Sequence, residues 1–250
     1  MKLRLKKPVT PYYINQAFGQ NLNPTYKQLG LKGHNGLDLR SIHGQKVYAA
    51  HDGLVVYTGM ESREGMGIVI KTLQEFDYKD GTAFFKSGYW HNIYPDGIKV
   101  QVGQIVKAGD LIALSNSTGN STGDHVHFFL KPVVQGEQDW QFENVEQDNG
   151  YRGCIDPAPF MERDFYYEFK KEMRFGQTNQ DVKALQTVLK EDGIYFGPIT
   201  GYYGNLTTSA VMDFQIKYQV ATFIEIFLPY LRGKKVGPKT LAKLQSLYGV

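Results

Sequence analysis

The sequence predicts a mainly β domain built on an antiparallel sheet, followed by a small domain of three helices. Tyr and Phe are frequent, at 17 and 15 residues, and aromatic side chains fit the half-buried surface of a pleated sheet. The 27 glycines supply the tight turns that such a sheet needs. From about residue 173 the apolar residues instead recur at helical spacing.

The first part of the chain consists of short apolar runs separated by turn residues. The candidate strands are 46–50, 54–57, 67–71 and 110–114. Asp52-Gly53, Gly65, Gly103 and Gly109 lie between them. Short runs with close turns and no strong helical period favour an antiparallel sheet.

The last part of the chain contains three amphipathic sets, each preceded by a helix-start signal. Cap candidates Thr178 and Asn179 precede the first set, Asn205 precedes the second, and Pro238 lies where a first helical turn tolerates it. The sets are Val182, Leu185 and Leu189, then Ala210, Val211, Phe214 and Tyr218, then Leu241, Leu244 and Tyr248. We therefore predict a β domain over 1–160, a charged linker over 161–172 and a helical domain over 173–250.

Charge and composition exclude several classes of protein. A net charge of +3 gives no strong field for nucleic acid, although it suits an anionic wall polymer. One cysteine, Cys154, rules out an intramolecular disulfide. No apolar run approaches a membrane span, and the basic N-terminus lacks the apolar region of a signal peptide. We expect a monomer that makes its fold from its own core.

Two histidines are placed to share one site. The segment 126–130 is apolar and aromatic, which predicts a strand, so His125 and His127 project from the same face while Val126 projects from the other. Placing two imidazoles on one buried face is costly unless a metal or a proton relay uses them.

His34 and Asp38 add one nitrogen and one oxygen ligand, and Gly36 between them is expected to let the backbone curve. Two histidines and a carboxylate leave the fourth tetrahedral position to water, the pattern of a catalytic rather than a structural zinc site. One histidine of the 125/127 pair then remains for proton transfer, and His91 is a candidate for a second. His43 and His51 are expected to be ordinary surface or packed residues.

In this arrangement the first domain resembles the lysostaphin and LytM-type metallopeptidases of peptidase family M23. The matching segments are His34-x-x-x-Asp38, 44–53, 65–70, 89–91, 102–110 and 117–128. The resemblance implies His34, Asp38 and His127 as zinc ligands and His91 and His125 as catalytic histidines. It implies peptidoglycan as the substrate, cut at a stem peptide or a cross-bridge.

The sequence departs from the family pattern at three places. Asn92 stands where Leu is frequent, Asp124 stands where Pro or Ser is frequent, and the segment 73–87 is longer and more aromatic than expected. None of these departures removes a ligand.

The second domain resembles the three-helix peptidoglycan-binding domain of wall hydrolases. The matching segments are 181–189, 201–215 and 236–240, and 221–235 reads as an insertion with an apolar run over 223–231. The sequence thus predicts a zinc endopeptidase of the bacterial cell wall, outside the cytoplasm, with release as a phage endolysin left open. The alternative is a non-catalytic wall-binding or regulatory protein on the same fold.

Overall fold

The computed structural model describes residues 1–22, 25–136, 142–165, 167–220 and 233–249. The chain divides into two compact units, Met1–Glu162 and Arg163–Val250. Within the described ranges, no helix is long and apolar enough to cross a membrane.

Unit 1 is built on an antiparallel sheet of nine strands. Its order is β1-β2-β10-β7-β5-β4-β8, with β11 beside β10 and β6 beside β7, and β3 and β9 form a separate pair. The strands are β1 Ile14–Gln16, β2 Leu37–Arg40, β3 Lys46–Tyr48, β4 Gly53–Glu61, β5 Gly65–Thr72, β6 Phe76–Tyr78, β7 Gly81–Asn92, β8 Ile105–Val106, β9 Leu111–Leu114, β10 His125–Gln135 and β11 Phe142–Asn144. A short helix, α1 (Thr25–Gln28), and a 3-10 turn, Ala158–Phe160, complete the unit.

Side chains of strand β10 project to two sides, the core of the unit and an open groove lined by residues of several strands. Val126, Phe128 and Leu130 are fully buried in the core. The alternate residues His125, His127 and Lys131 are only partly buried on the other face. Because side chains alternate along a strand, this one segment both anchors the sheet and presents polar groups beside it.

Two glycines let aromatic rings lie flat on the groove face. A Cβ atom on Gly67 of β5 would collide with the ring of Trp90, and one on Gly88 of β7 would collide with the ring of Phe129. Trp90 and Phe129 are 7% and 9% exposed, and with Cys154 they form one apolar cluster. Glycine within a strand marks a close approach of this kind.

Unit 2 contains three helices in its described part: α2 (Gln180–Glu191), α3 (Asn205–Lys217) and α4 (Pro238–Tyr248). Strands β12 (Met173–Arg174) and β13 (Lys235–Val236) pair beside them. Of the two predicted caps, Asn179 begins α2, since its Oδ1 accepts the Val182 N–H at 2.9 Å. Gly193 follows α2 at a φ of +74°, a conformation that glycine adopts without cost.

The predicted fold class, an antiparallel β domain followed by a small helical one, is confirmed. The long segment 73–87 forms β6 and the first half of β7, so it enlarges the sheet. Asn92 is buried at the end of β7, where its amide donates to the carbonyls of Met66 and Tyr89 at 3.1 and 2.8 Å. The predicted insertion 221–235 lies outside the described residues up to residue 232.

Candidate metal centre

His34, Asp38 and His127 bring three potential ligand atoms together at one end of the groove. His127 of β10 is paired directly with Asp38 of β2, and His34 lies three residues before the start of β2. His34 Nε2 lies 2.9 Å from His127 Nδ1, and each of these nitrogens lies 3.0 Å from Asp38 Oδ1. The three atoms form a nearly equilateral triangle.

This triangle has the dimensions that a tetrahedral zinc site requires. Ligand atoms at the usual Zn–N and Zn–O lengths of roughly 2.0–2.1 Å lie about 3.3 Å from one another when the geometry is tetrahedral. The observed edges differ from that value by only a few tenths of an ångström. Two nitrogens and one carboxylate oxygen also match zinc in chemical type, so the residues fit the ion.

The surroundings fix the ring of His34 in one tautomer. Its Nδ1 lies 3.3 Å from the carbonyl oxygen of Ala17, which accepts the Nδ1–H and leaves the Nε2 lone pair directed at the triangle. A second polar partner of this kind orients most metal-binding histidines.

Gly36 contributes to the site in a way that the sequence did not indicate. It has no positive φ, so a sharp backbone curve is not its role. A Cβ at this position would lie 2.6 Å from the Phe128 carbonyl oxygen and 2.8 Å from the His127 ring. Glycine is therefore needed because the His127 ring packs against the backbone.

Charge within the triangle favours an ionised carboxylate. Burial alone raises the pKa of Asp38, but hydrogen bonds from His127 and His34 outweigh it and hold that pKa well below its usual range. Burial lowers the pKa of His127, against the opposing effect of Asp38. An anionic carboxylate with neutral imidazoles is the ionisation state in which these side chains bind a metal.

His91 and His125 lie beside the triangle with their rings close together. Their ring centroids are 4.5 Å apart, and His125 Nε2 is 3.6 Å from Asp38 Oδ1. In each ring Nδ1 faces a backbone carbonyl, that of Thr118 at 2.7 Å for His91 and that of Gly123 at 2.8 Å for His125. Both rings thus donate through Nδ1–H, which leaves Nε2 as the atom that can accept a proton.

His91 is held in a conformation that is unusual for its residue type. Its φ is +68°, in the left-handed region that costs a non-glycine residue about 1–2 kcal/mol. Burial, together with the neighbouring His125, lowers the pKa of His91 to about 4. A strained, neutral imidazole at a groove is a recurrent feature of functional sites.

The segment from Asn116 to Thr118 positions both of these histidines, a role that was not predicted. Asn116 N–H donates to the His91 carbonyl at 2.8 Å, and its own carbonyl accepts the His125 N–H at 3.3 Å. The Thr118 hydroxyl donates to the Asn92 carbonyl and accepts from Met66 N–H. In the sequence, only Ser117 and Thr118 of this segment belong to the matched motif 117–128, and backbone contacts such as those of Asn116 leave little trace in residue type.

An open groove of about 1120 Å³ runs from the triangle along the face of the sheet. Its floor includes the flat rings of Trp90 and Phe129, and its wall includes Tyr57, whose ring centroid is 5.9 Å from that of Trp90. A groove of this size accommodates an extended peptide.

The two remaining histidines lie outside this cluster. His43 is exposed, and its Nδ1 lies 3.1 Å from Asn116 Oδ1. His51 is buried, with its Nε2 accepting the Ser87 hydroxyl at 2.8 Å and its Nδ1–H donating to the Asp52 carbonyl at 2.9 Å.

Comparison with family models identifies two segments. A model described as "Peptidase family M23" matches residues 32–139, and one described as "Putative peptidoglycan binding domain" matches residues 178–221. The first segment contains the whole triangle together with His91 and His125.

Curated relatives match the first of these segments. The peptidoglycan DD-endopeptidase ShyB of Vibrio cholerae is 32% identical over 130 residues, which cover 50% of this chain and 28% of the relative. The murein hydrolase activator NlpD of Escherichia coli is 37% identical over 99 residues, covering 40% of this chain and 23% of the relative. The chain thus spans less than a third of the length of either relative.

Among solved structures, the catalytic domain of lysostaphin from Staphylococcus simulans is similar. It is 26% identical, with a TM-score of 0.43, and the match covers 60% of this chain and 91% of the lysostaphin domain.

Proposed function

We propose that this chain, in which residues 32–139 match peptidase family M23 and residues 178–221 match a putative peptidoglycan-binding domain, is a zinc-dependent endopeptidase of bacterial peptidoglycan. The observation that carries this proposal is the triangle of His34, Asp38 and His127 beside two further histidines. The endopeptidase activity of the relative ShyB supports the same substrate class. The site of action would be the cell wall.

In this proposal His34 Nε2, Asp38 Oδ1 and His127 Nδ1 hold the ion. Zinc supplies Lewis acidity there, because it polarises a scissile carbonyl and makes water easier to deprotonate. The ionised Asp38 offsets the charge of the ion, and the Ala17 carbonyl keeps His34 in the ligating tautomer.

His91 and His125 would handle protons and developing charge. Each keeps a hydrogen on Nδ1 through a backbone carbonyl, so each can take up a proton at Nε2 and return it to a leaving amine. The low pKa of His91 means that this ring begins the reaction neutral at physiological pH. The left-handed backbone of His91 supports a functional rather than a structural role.

The test is wall clearing by the purified full chain, with bound zinc measured in parallel. We expect His127→Ala to lose both zinc and activity, and a chelator to abolish clearing until zinc is restored. His91→Ala and His125→Ala should keep zinc but lower turnover by roughly 10²–10⁴-fold, the usual contribution of general acid–base catalysis. His43→Ala, which alters an exposed histidine outside the cluster, should change neither quantity. Full lytic activity in both His127→Ala and His125→Ala would disprove the metal mechanism.

A second candidate function is regulation without catalysis. It is favoured by the 37% identity to NlpD, whose name describes an activator of murein hydrolases. Bound zinc without hydrolysis of any peptidoglycan, together with stimulation of an added amidase, would support this candidate over the first.

A further inference from the structure

Three lysines lie side by side on the groove face of the sheet. Lys71 of β5 is directly opposite Lys86 of β7, and Lys86 is directly opposite Lys131 of β10. All three line the same groove as the metal triangle. Directly opposed like charges destabilise a sheet, so this lysine row needs an explanation.

No acidic side chain of the described residues forms an ion pair with the lysine row. Lys71 Nζ donates to the Thr72 carbonyl at 3.0 Å and lies 4.2 Å from the Phe84 ring and 4.5 Å from the Phe142 ring. The rings of Phe142 and Phe129 lie 5.4 and 5.2 Å from the ammonium groups of Lys86 and Lys131. Aromatic faces attract the cations without neutralising them.

The row is also partly removed from water. Lys71 is only 9% exposed, and burial together with the charge of Lys86 lowers its pKa. Burial and the charge of Lys131 lower the pKa of Lys86 in the same direction. An anion held between these groups would relieve both the mutual repulsion and the desolvation.

We propose that the lysine row binds a free carboxylate of the peptide substrate. This inference rests on the proposed function, which it makes more specific. It favours a cross-linked stem peptide that carries carboxylates over an uncharged glycyl bridge, which offers the lysines no anionic partner.

The position of the row relative to the metal triangle specifies where that carboxylate lies. His127, Phe129 and Lys131 project from the same face of β10, and four residues of strand span about 13 Å. An extended peptide rises by a similar amount per residue, so the recognised carboxylate lies about three to four residues from the bond that is cut. The flat rings of Trp90 and Phe129 floor the interval between them.

Part of the row comes from the segment that departs from the family pattern. Phe84 and Lys86 lie within 73–87, which forms β6 and the first half of β7. The strands formed by 73–87 therefore place one of the three lysines, Lys86, in the groove.

The experiment compares two synthetic stem peptides that differ only in a free carboxylate or its amide at that position. Their dissociation constants are measured with the full chain kept metal-free, so no hydrolysis occurs. We expect the carboxylate peptide to bind roughly tenfold more tightly, and this preference to weaken with added salt. Lys86→Gln and Lys131→Gln should abolish the preference while leaving the affinity for the amide unchanged.

The matched control is Lys99→Gln, an exposed lysine whose Nζ donates to the Asp96 carbonyl. It should keep the full preference. Equal affinity of the wild-type chain for both peptides would overturn the proposal. So would tight binding of inorganic phosphate that both row variants lose without any preference between the peptides, since the row would then serve a phosphate.

The lysine row and the endopeptidase activity can fail independently of each other in these experiments. If the chain hydrolyses peptidoglycan but binds both peptides equally, only the role of the lysine row is wrong. If it prefers the carboxylate peptide but hydrolyses no peptidoglycan with zinc restored, the row stands and the enzymatic function falls.

Discussion

At the scale of single residues, His51 illustrates how a buried histidine differs from those in the groove. Both ring nitrogens are used in the neutral form, because Nε2 accepts from Ser87 and Nδ1–H donates to the Asp52 carbonyl. Burial lowers the pKa of His51 to about 4, against an opposing effect of the Asp52 carbonyl. Protonation would remove the acceptor for Ser87 and place a charge in the core.

This arrangement predicts a pH dependence of stability. The unfolded chain binds a proton at His51 near pH 6.5, whereas the folded chain binds it near pH 4. The stabilising contribution is therefore complete above pH 6.5 and is lost as the pH falls toward 4. Over that interval we expect the free energy of unfolding of the wild type to fall by about 3 kcal/mol more than that of His51→Gln.

The measurement is denaturant unfolding of the metal-free chain at several pH values, followed by tryptophan fluorescence. Both tryptophans precede residue 163, so the signal reports on unit 1. His43→Gln, which alters an exposed histidine, should retain the wild-type pH dependence. Parallel curves for the wild type and His51→Gln would contradict the prediction.

The sequence predicted individual site residues where the residue type itself decides the chemistry. Residue spacing predicted a site shared by His34, Asp38 and the 125/127 pair, and the family resemblance assigned His127 to the metal and His91 and His125 to catalysis. The structure brings His34, Asp38 and His127 together with His91 and His125 nearby. It could not predict the carbonyl of Thr118 as the partner of His91, because every residue offers the same carbonyl. Nor could it predict the lysine row, since that depends on the register of three strands far apart in the chain.

At the scale of elements, the helices of unit 2 are joined by a repeated polar contact. Gln186 of α2 donates to the Thr207 hydroxyl of α3 at 3.0 Å, and Gln215 of α3 donates to the Thr240 hydroxyl of α4 at 3.0 Å. Each threonine is buried near the start of its helix. The segments 204–207 and 237–240 share the pattern Gly-x-x-Thr. They act alike, since each is the start of a helix that an earlier helix holds in place.

Of the two glutamines, Gln186 has the larger set of buried hydrogen-bond partners. It is fully buried, and its Nε2 also donates to the Tyr202 carbonyl while its Oε1 accepts the N–H groups of Thr200 and Gly201. Gln186→Ala should lower the free energy of unfolding by about 3 kcal/mol, because several buried backbone groups lose their partner.

Helical circular dichroism during urea unfolding provides the measurement. Thr187→Ala is the control, since Thr187 is the half-buried neighbour on the same helix and its hydroxyl donates to the Lys183 carbonyl, and we expect its effect to stay within about 0.5 kcal/mol. Equal effects of the two substitutions would show that the buried network contributes little.

Helical periodicity and caps predicted where these three helices lie, because both signals are local. The contact between Gln186 and Thr207 was not predictable in the same way. A glutamine in a helix is ordinarily a solvent-facing residue, and only the packing of α3 against α2 reverses that expectation.

At the scale of the whole molecule, the chain combines a groove-bearing unit with a unit matched by a wall-binding family. If the second unit holds the first near an insoluble polymer, its effect is one of local concentration. A chain ending at Glu162 should then cleave soluble stem peptides within about twofold of the full chain. On insoluble peptidoglycan it should be slower by roughly tenfold or more.

The two assays are run on the same preparations, and sedimentation with purified wall gives the bound fraction of each chain. Equal rates on the insoluble substrate would argue against a targeting role for residues 163–250. An equal loss on both substrates would instead indicate that the second unit supports the first.

Side chains along β10 project alternately to the groove and to the core, so the two faces repeat every two residues. Substitution at 129 or 131 can change what the groove accepts while the core residues at 126, 128 and 130 stay as they are. Insertion of one residue between His127 and Lys131 would exchange the two sets and destroy both. Insertion of two would keep each set on its side and move the lysine about 7 Å farther from the triangle of His34, Asp38 and His127. Insertions of two residues would therefore lengthen the distance between the lysine and the triangle in fixed steps. Such insertions offer evolution and protein engineering a route to altered specificity.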